Sequence, residues 1–451
     1  MRSMPPRQLA GRPATDRLPA GRASRWASTQ RHRTPLALWQ PAHQDVPAAA
    51  PRPDRRTGIP PGRTPLTSGA GMLTAAVNAW PSSAFRTVVA LRGEFTGVAA
   101  AKLTAGIRLA TRHGDGLLLI HSGAGGASLL ATFGRENPRQ RCLSIEVEQT
   151  PRAVAAARLL AASAQFPAGE VFIDGSGQPQ VTCWQQVPAP AAHPPLRPGD
   201  PVVITGGLGG LGRAVAIHLS RRFGAYPILV DRVPPGSATA QAALAQLRLT
   251  GRPYSHLTAD VTDAAAIRRA LRPVVGSRPV TALVHCAGLV EAGRAASLSA
   301  ADIARLTAPK VTGLRCVLAA LDPGPLRTVL AFGSILARRP HSGVGGYALA
   351  NELLRREVDR WAASRPGPRY LTAEWSIWDG AGLAAETGAV GVARRVGYVP
   401  VQAADGLRMV ERLLSWTRPA TSLVISAESP ASGRPVNGFA LPAGTSPRGS
   451  R

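Results

Sequence analysis

From residue 200 to residue 430 the apolar positions arrive in a regular beat. Short apolar runs at residues 202–205, 227–231, 255–259, 282–286, 328–332 and 370–375 read as strands. Between them lie longer stretches with helical spacing. The first runs from a Gly-rich turn to about Phe223, and the others cover 239–249, 264–271, 300–321 and 347–362. This alternation predicts a doubly wound parallel sheet with helices on both faces, a Rossmann-like α/β unit over 200–430. The strands are apolar throughout, as strands buried on both faces are.

The pattern upstream is sparser but folded. Residues 88–91, 116–121, 170–174 and 180–186 read as strands, and 153–164 as an Ala/Leu helix. They make 72–195 a first folded subdomain, separated from the second by the Pro-rich linker 188–195. Ile120-His-Ser-Gly-Ala-Gly-Gly126 echoes Ile204-Thr-Gly-Gly-Leu-Gly-Gly210. A duplicated half that has lost its site and chance in a chain with 47 Gly are both open explanations. Residues 1–70 hold twelve Arg, twelve Pro and three Asp without any sustained period. They read as a disordered arm or as sequence upstream of the true start. Residues 431–451 read as a disordered tail.

Composition narrows the function classes. The chain has 451 residues, a net charge of +27 and 45% hydrophobic residues, enough to bury a core. Of its 53 basic residues only Lys102 and Lys310 are Lys, which points to coding bias and argues against a nucleic-acid partner. No apolar run reaches the length of a membrane span. Cys142, Cys183, Cys286 and Cys316 are far apart, with no CxxC pair. That argues against a zinc ribbon or disulfide scaffold, predicts no metal site, and fits a cytoplasmic protein.

Thr205-Gly206-Gly207-Leu208-Gly209-Gly210-Leu211-Gly212 follows an apolar strand and opens a helix. Gly207, Gly209 and Gly212 form GxGxxG, which lets backbone approach a pyrophosphate at a helix N-terminus. Asp231 ends the next strand and Arg232 follows it. An acid there accepts from the ribose 2′-hydroxyl of NAD, whereas an Arg pairs with the 2′-phosphate of NADP, so both cofactors stay open. Asp260 and Val261 end the third strand, either flanking the adenine or capping a helix.

Further along lie Cys286-Ala287-Gly288, Pro309-Lys310-Val-Thr-Gly313, Ser334, and Tyr347-Ala-Leu-Ala-Asn351. Tyr347 and Asn351 share a helix face. Ketone reduction needs a hydride donor and an acid aimed at the carbonyl oxygen. A phenol tuned by a cation such as Lys310 is a suitable acid, and Ser334 can hold the developing alkoxide.

At these residues the chain resembles the ketoreductase region of modular type I polyketide synthases, a branch of the short-chain dehydrogenase/reductase superfamily. The superfamily has Tyr-x-x-x-Lys. This branch has Tyr-x-x-x-Asn with its Lys moved upstream, as in Tyr347…Asn351 and Lys310-Val-Thr-Gly313. Trp375-Ser-Ile-Trp-Asp-Gly-Ala-Gly-Leu383 is similar to the branch's substrate-side segment, and 85–190 to its truncated Rossmann-like structural subdomain. The resemblance implies NADPH-dependent reduction of a β-ketoacyl thioester on an acyl carrier protein, among other polyketide synthase components. It implies Tyr347 as proton donor, Ser334 as orienting group, and Lys310 and Asn351 as relay and ribose support. The alternative is an inactive docking or scaffolding remnant. The family's Leu-Asp-Asp marker is replaced by Leu289-Val290-Glu291, and its alternative Trp by Arg339, so the alcohol configuration stays open.

Overall fold

The computed structural model describes residues 36–46, 64–67, 71–79, 85–163, 168–277, 279–321, 326–382, 389–395 and 398–427. The first half holds β1 (Ala37–Asp45), β2 (Thr64–Thr67), α1 (Met72–Ala79), β3 (Thr87–Arg92) and α2 (Gly97–His113). It continues with β4 (Leu117–Ser122), α3 (Ala127–Glu136), β5 (Cys142–Val147), α4 (Pro151–Ala162), β6 (Gly169–Ile173) and β7 (Pro179–Val187). The second half opens with β8 (Pro201–Thr205), α5 (Gly210–Phe223), β9 (Tyr226–Asp231), α6 (Ala238–Arg248), β10 (Ser255–Thr258) and α7 (Ala264–Ser277). Next come β11 (Ala282–His285), α8 (Ala300–Thr307), α9 (Val311–Ala320), β12 (Thr328–Ser334), α10 (Gly345–Ser364) and β13 (Arg369–Trp375). The last elements are β14 (Trp378–Asp379), α11 (Ala389–Arg395), β15 (Val401–Gln402), α12 (Ala403–Leu414) and β16 (Ser422–Ser426).

One sheet runs through both halves in the order β10-β9-β8-β11-β12-β13-β16-β1-β7-β6-β5-β4-β3-β2. In the second half the expected doubly wound arrangement is present. The chain steps outward from β8 to β9 and β10, then returns to lay β11 on the other side of β8. That reversal opens a crevice at the C-terminal ends of β8 and β11. In the first half β3, β4, β5 and β6 follow one another in one direction, so no such crevice forms.

Successive strand residues face opposite layers. Val202 and Ile204 pack with Leu219 of α5, Leu244 of α6 and Leu413 of α12. Val203 packs on the other face with Ile267 of α7, Val317 of α9 and Val358 of α10. Helix α10 also turns Leu349 and Leu353 toward the first half, against Leu103 and Ile107 of α2 and Leu129 and Phe133 of α3. Each such buried side chain contributes about 1.5–3 kcal/mol, so α10 is held by both halves.

Two expectations need correction. The arm expected over 1–70 does not hold at Ala37–Asp45 or Thr64–Thr67, which are strands. β1 lies antiparallel between β16 and β7 and bridges the two halves, with Leu38 paired to both Ile425 and Val187. Pro41 hides this strand in the sequence, because proline lacks the N–H of a regular ladder. The rest of the arm and the tail 431–451 lie outside the described residues. The helix expected over 300–321 is two helices, α8 and α9. Pro309 breaks it, since proline is incompatible with a helix interior, and Lys310 thereby stands at the head of α9.

Candidate active site

The loop after β8 is shaped by its glycines. Gly206 has φ +62°, and a Cβ on Gly212 would stand 2.3 Å from the Gly206 carbonyl oxygen, so only glycine lets α5 close onto the turn. A Cβ on Gly207 would meet Leu229 at 2.8 Å. Leu208 is buried beneath the loop, and Leu211 packs against Gly382. Gly209 caps α5 without a side chain, so the first-turn amides, including those of Gly210 and Leu211, stay available to an anion. The loop opens at the sheet's reversal point. Cradle, open helix end and place in the sheet all fit a dinucleotide pyrophosphate.

The carboxylate of Asp231 holds this loop. One oxygen accepts from the Leu208 N–H at 3.1 Å and the other from the Val233 N–H at 3.2 Å. Arg232 is exposed and makes no ion pair among the described residues. Asp260 accepts from the Thr262 N–H at 2.8 Å and hydroxyl at 2.7 Å, which shapes a turn. Capping of α7, an alternative considered for Asp260, belongs to Asp263, which accepts from the Ala265 and Ala266 N–H groups at 2.9 Å. Val261 is buried beside Gly313, where a Cβ would come within 2.7 Å of it. Ala287 lies over Gly206 and donates its N–H to the Thr205 hydroxyl at 3.3 Å, while Gly288 packs against the Lys310 side chain.

Ser334 ends β12, and its hydroxyl accepts from the Leu336 N–H at 3.2 Å. Tyr347 lies in the first turn of α10. Burial pushes its phenol above the ordinary value, and the neighbouring Ser334 and Asn351 side chains pull it back. Asn351 is buried; its Nδ2 donates to the Tyr347 carbonyl at 2.8 Å, while its Oδ1 has no partner. An orphaned acceptor here suits a water or relay proton. Lys310 is 4% exposed and donates from Nζ to the Phe332 carbonyl at 2.8 Å. Burial brings its ammonium down to about 8. The structure thus gathers Ser334, Tyr347 and Asn351 in one place. Lys310 sits one step behind, on Phe332 and Gly288, and is not among the groups that shift the phenol directly.

His285 was missed by sequence reasoning. It is fully buried; its Nδ1 meets the Thr205 hydroxyl at 2.8 Å and its Nε2 meets the Lys310 carbonyl at 3.1 Å. Burial, and then Lys310, push it down to about 3, so it is neutral. Thr205 O–H donates to Nδ1 and Nε2–H donates to Lys310, a strut from the dinucleotide loop to the head of α9. An imidazole inside an otherwise apolar strand was the available signal. Beside the loop, Gly210, Arg213, Arg221 and residues 380–382 wall a groove of about 670 Å³ whose lining does not include Lys310, Ser334, Tyr347 or Asn351.

Residues 201–380 match the KR domain family model. Among curated proteins, the chain is 32% identical over 292 residues to polyketide synthase ThaG of Burkholderia thailandensis, covering 64% of this chain and 5% of that protein. It is 31% identical over 240 residues to a spectinabilin polyketide synthase system protein of Streptomyces orinoci, covering 51% of this chain and 6% of that protein. The chain therefore spans about one-twentieth of the length of these relatives. Among solved structures, the ketoreductase from the first module of phoslactomycin biosynthesis in a Streptomyces species superposes with a TM-score of 0.71 at 22% identity, covering 87% of this chain and 94% of that one. An A-type ketoreductase of a modular polyketide synthase gives 0.70 at 22%, covering 86% and 92%. The sheet reversal, the glycine loop and the matched segment converge on residues 201–380, which match the KR domain family and lie in the fold shared with the solved polyketide synthase ketoreductases.

Proposed function

We propose that the chain reduces a β-ketoacyl thioester, carried on an acyl carrier protein of a polyketide synthase, to the β-hydroxyacyl thioester with NADPH. The carrying observation is the convergence of an open dinucleotide loop with Ser334, Tyr347 and Asn351 at the same end of the sheet. When bound, the reduced nicotinamide supplies a hydride to the β-carbon. Residues of the glycine loop from Thr205 to Gly212 would hold its pyrophosphate. Ser334 donates a hydrogen bond to the ketone oxygen and fixes its direction. Tyr347 gives that oxygen its proton. Asn351, with its free Oδ1, holds the water that reprotonates the phenol, and Lys310 supports the ribose side of the relay.

NADPH is favoured over NADH by Asp231 and Arg232 together. Both oxygens of Asp231 already accept backbone N–H groups, whereas Arg232 is exposed and unpaired among the described residues, ready for a 2′-phosphate. Arg213, Arg221 and Arg222 around the groove beside the loop add a basic surface suited to an acidic carrier. The test is NADPH against NADH oxidation by the full chain with a β-ketoacyl N-acetylcysteamine thioester. Turnover with NADPH supports the reading. Cofactor binding without turnover supports the scaffolding alternative.

A further inference from the structure

The first half contains a second glycine loop, Gly123-Ala-Gly-Gly126, between β4 and α3. Its backbone is that of an anion cradle. Gly123, Gly125 and Gly126 all have positive φ, at 76°, 86° and 110°, and Gly126 caps α3 without a side chain. In the second half the equivalent helix end is open. Here it is filled from within the chain. The Glu352 carboxylate accepts from the Gly126 N–H at 2.9 Å, the Ser128 N–H at 2.9 Å and the Ser128 hydroxyl at 2.6 Å. Glu352 is 3% exposed. Burial pushes its carboxyl up, but Arg356 and Ser128 outweigh that and hold it below the ordinary value, so it is an anion. Arg356 supplies the countercharge, 3.3 Å from Glu352 and bonded through both terminal nitrogens to Glu146 at 2.7 Å. A Cβ on Gly125 would stand 2.8 Å from the Glu352 carboxylate, so the loop is closed tightly around it.

Glu352 directly follows Asn351 on α10, and the same helix is pinned nearby. A Cβ on Gly345 would meet Leu129 of α3 at 2.8 Å, and one on Gly346 would meet Leu306 of α8 at 2.5 Å. These glycines immediately precede Tyr347. The helix that carries two of the four reactive side chains is thus fastened to the first half by close backbone approach and by one buried carboxylate.

We propose that Gly123–Ser128 is a working anion-binding site with a built-in occupant, and that Glu352 is a positioning residue that sets the place of Tyr347 and Asn351 through it. The natural ligand class is a carboxylate; a small carboxylate anion fits once the side chain is removed. The positioning arm rests on the ketoreductase reading, whereas the anion-site arm does not.

The experiment uses the full chain as wild type, Glu352→Ala, Glu352→Gln and Ser128→Ala. Thermal midpoints and steady-state kinetics are measured with formate or chloride at equal ionic strength. Glu352→Ala is expected to lower the midpoint by about 5–10 °C, because it leaves three donors without their acceptor and takes one of its two carboxylates from Arg356. It is expected to lower kcat about 10- to 100-fold while KM for NADPH stays within about twofold. At 100 mM, formate is expected to raise the midpoint of Glu352→Ala by about 2–4 °C and to restore part of its kcat, without effect on wild type. Should Glu352→Ala fail to fold in chloride, Glu352→Gln and Ser128→Ala carry the positioning test, each with a smaller fall in midpoint and kcat, and the anion site is tested by the folding of Glu352→Ala itself: recovery in formate supports the site, and no recovery overturns it. No formate response in a folded Glu352→Ala overturns the anion site. A lower midpoint with unchanged kcat overturns the positioning role. An inactive wild type with a formate-responsive variant removes the ketoreductase reading and leaves the anion site standing.

Discussion

Lys310 offers a sharp physical test, because its ammonium is buried with a single carbonyl partner, Phe332, at 2.8 Å, and pairs with no carboxylate among the described residues. Burial brings it from 10.5 in the ordinary case to about 8 in the folded chain. Below pH 8 both folded and unfolded chains carry the proton, and the folded chain bears the full desolvation penalty. Between pH 8 and 10.5 the folded chain releases it first, so the unfolded chain binds more protons and stability rises with pH. The gap corresponds to about 3 kcal/mol over that window. Lys310→Met removes the titration together with the ammonium's hydrogen bond to the Phe332 carbonyl, a loss of about 1–3 kcal/mol. The two changes nearly cancel at pH 7. Denaturant unfolding of both proteins at pH 7, 9 and 10.5 isolates the effect, since other titrating groups drop out of the difference. Wild type should gain about 3 kcal/mol on the variant from pH 7 to 10.5. A difference that stays constant with pH, or that shrinks, refutes the buried-ammonium reasoning.

Two further outcomes probe the cofactor loop. Gly212→Ala places a Cβ 2.3 Å from the Gly206 carbonyl, so the turn must move; NADPH affinity measured by fluorescence titration should fall at least about tenfold. Arg232→Ala should raise KM for NADPH about 10- to 100-fold and leave KM for NADH within about twofold, because only the 2′-phosphate loses a charge-assisted bond.

Much of the second half was legible because its strands are buried on both faces and its helices amphipathic, so each element announces its own period. The four proposed catalytic residues stand out in the sequence for a chemical reason: a rare Lys, a Ser and a Tyr-x-x-x-Asn pair against an Arg-rich background. Long-range pairing was less legible. β1 is a strand only because β7 and β16 supply partners far along the chain, and Pro41 disguises it. The break between α8 and α9 was signalled by Pro309 but masked by the apolar period on either side. His285 and Glu352 are ordinary residues in sequence. Their roles come from partners 80 and 226 residues away, Thr205 and Gly126, which no local spacing reveals. The echo between the two glycine loops was visible, but not the opposite fates of their helix ends.

The most direct test of the proposed reaction compares wild type with Tyr347→Phe. NADPH oxidation is followed with a β-ketoacyl N-acetylcysteamine thioester, and NADPH binding is measured separately. Wild type should turn over, and Tyr347→Phe should lose about 10²- to 10⁴-fold in kcat while binding NADPH as before, because only the transferred proton is removed. Equal turnover by the two proteins, or no turnover by wild type under conditions where it binds NADPH, would contradict it.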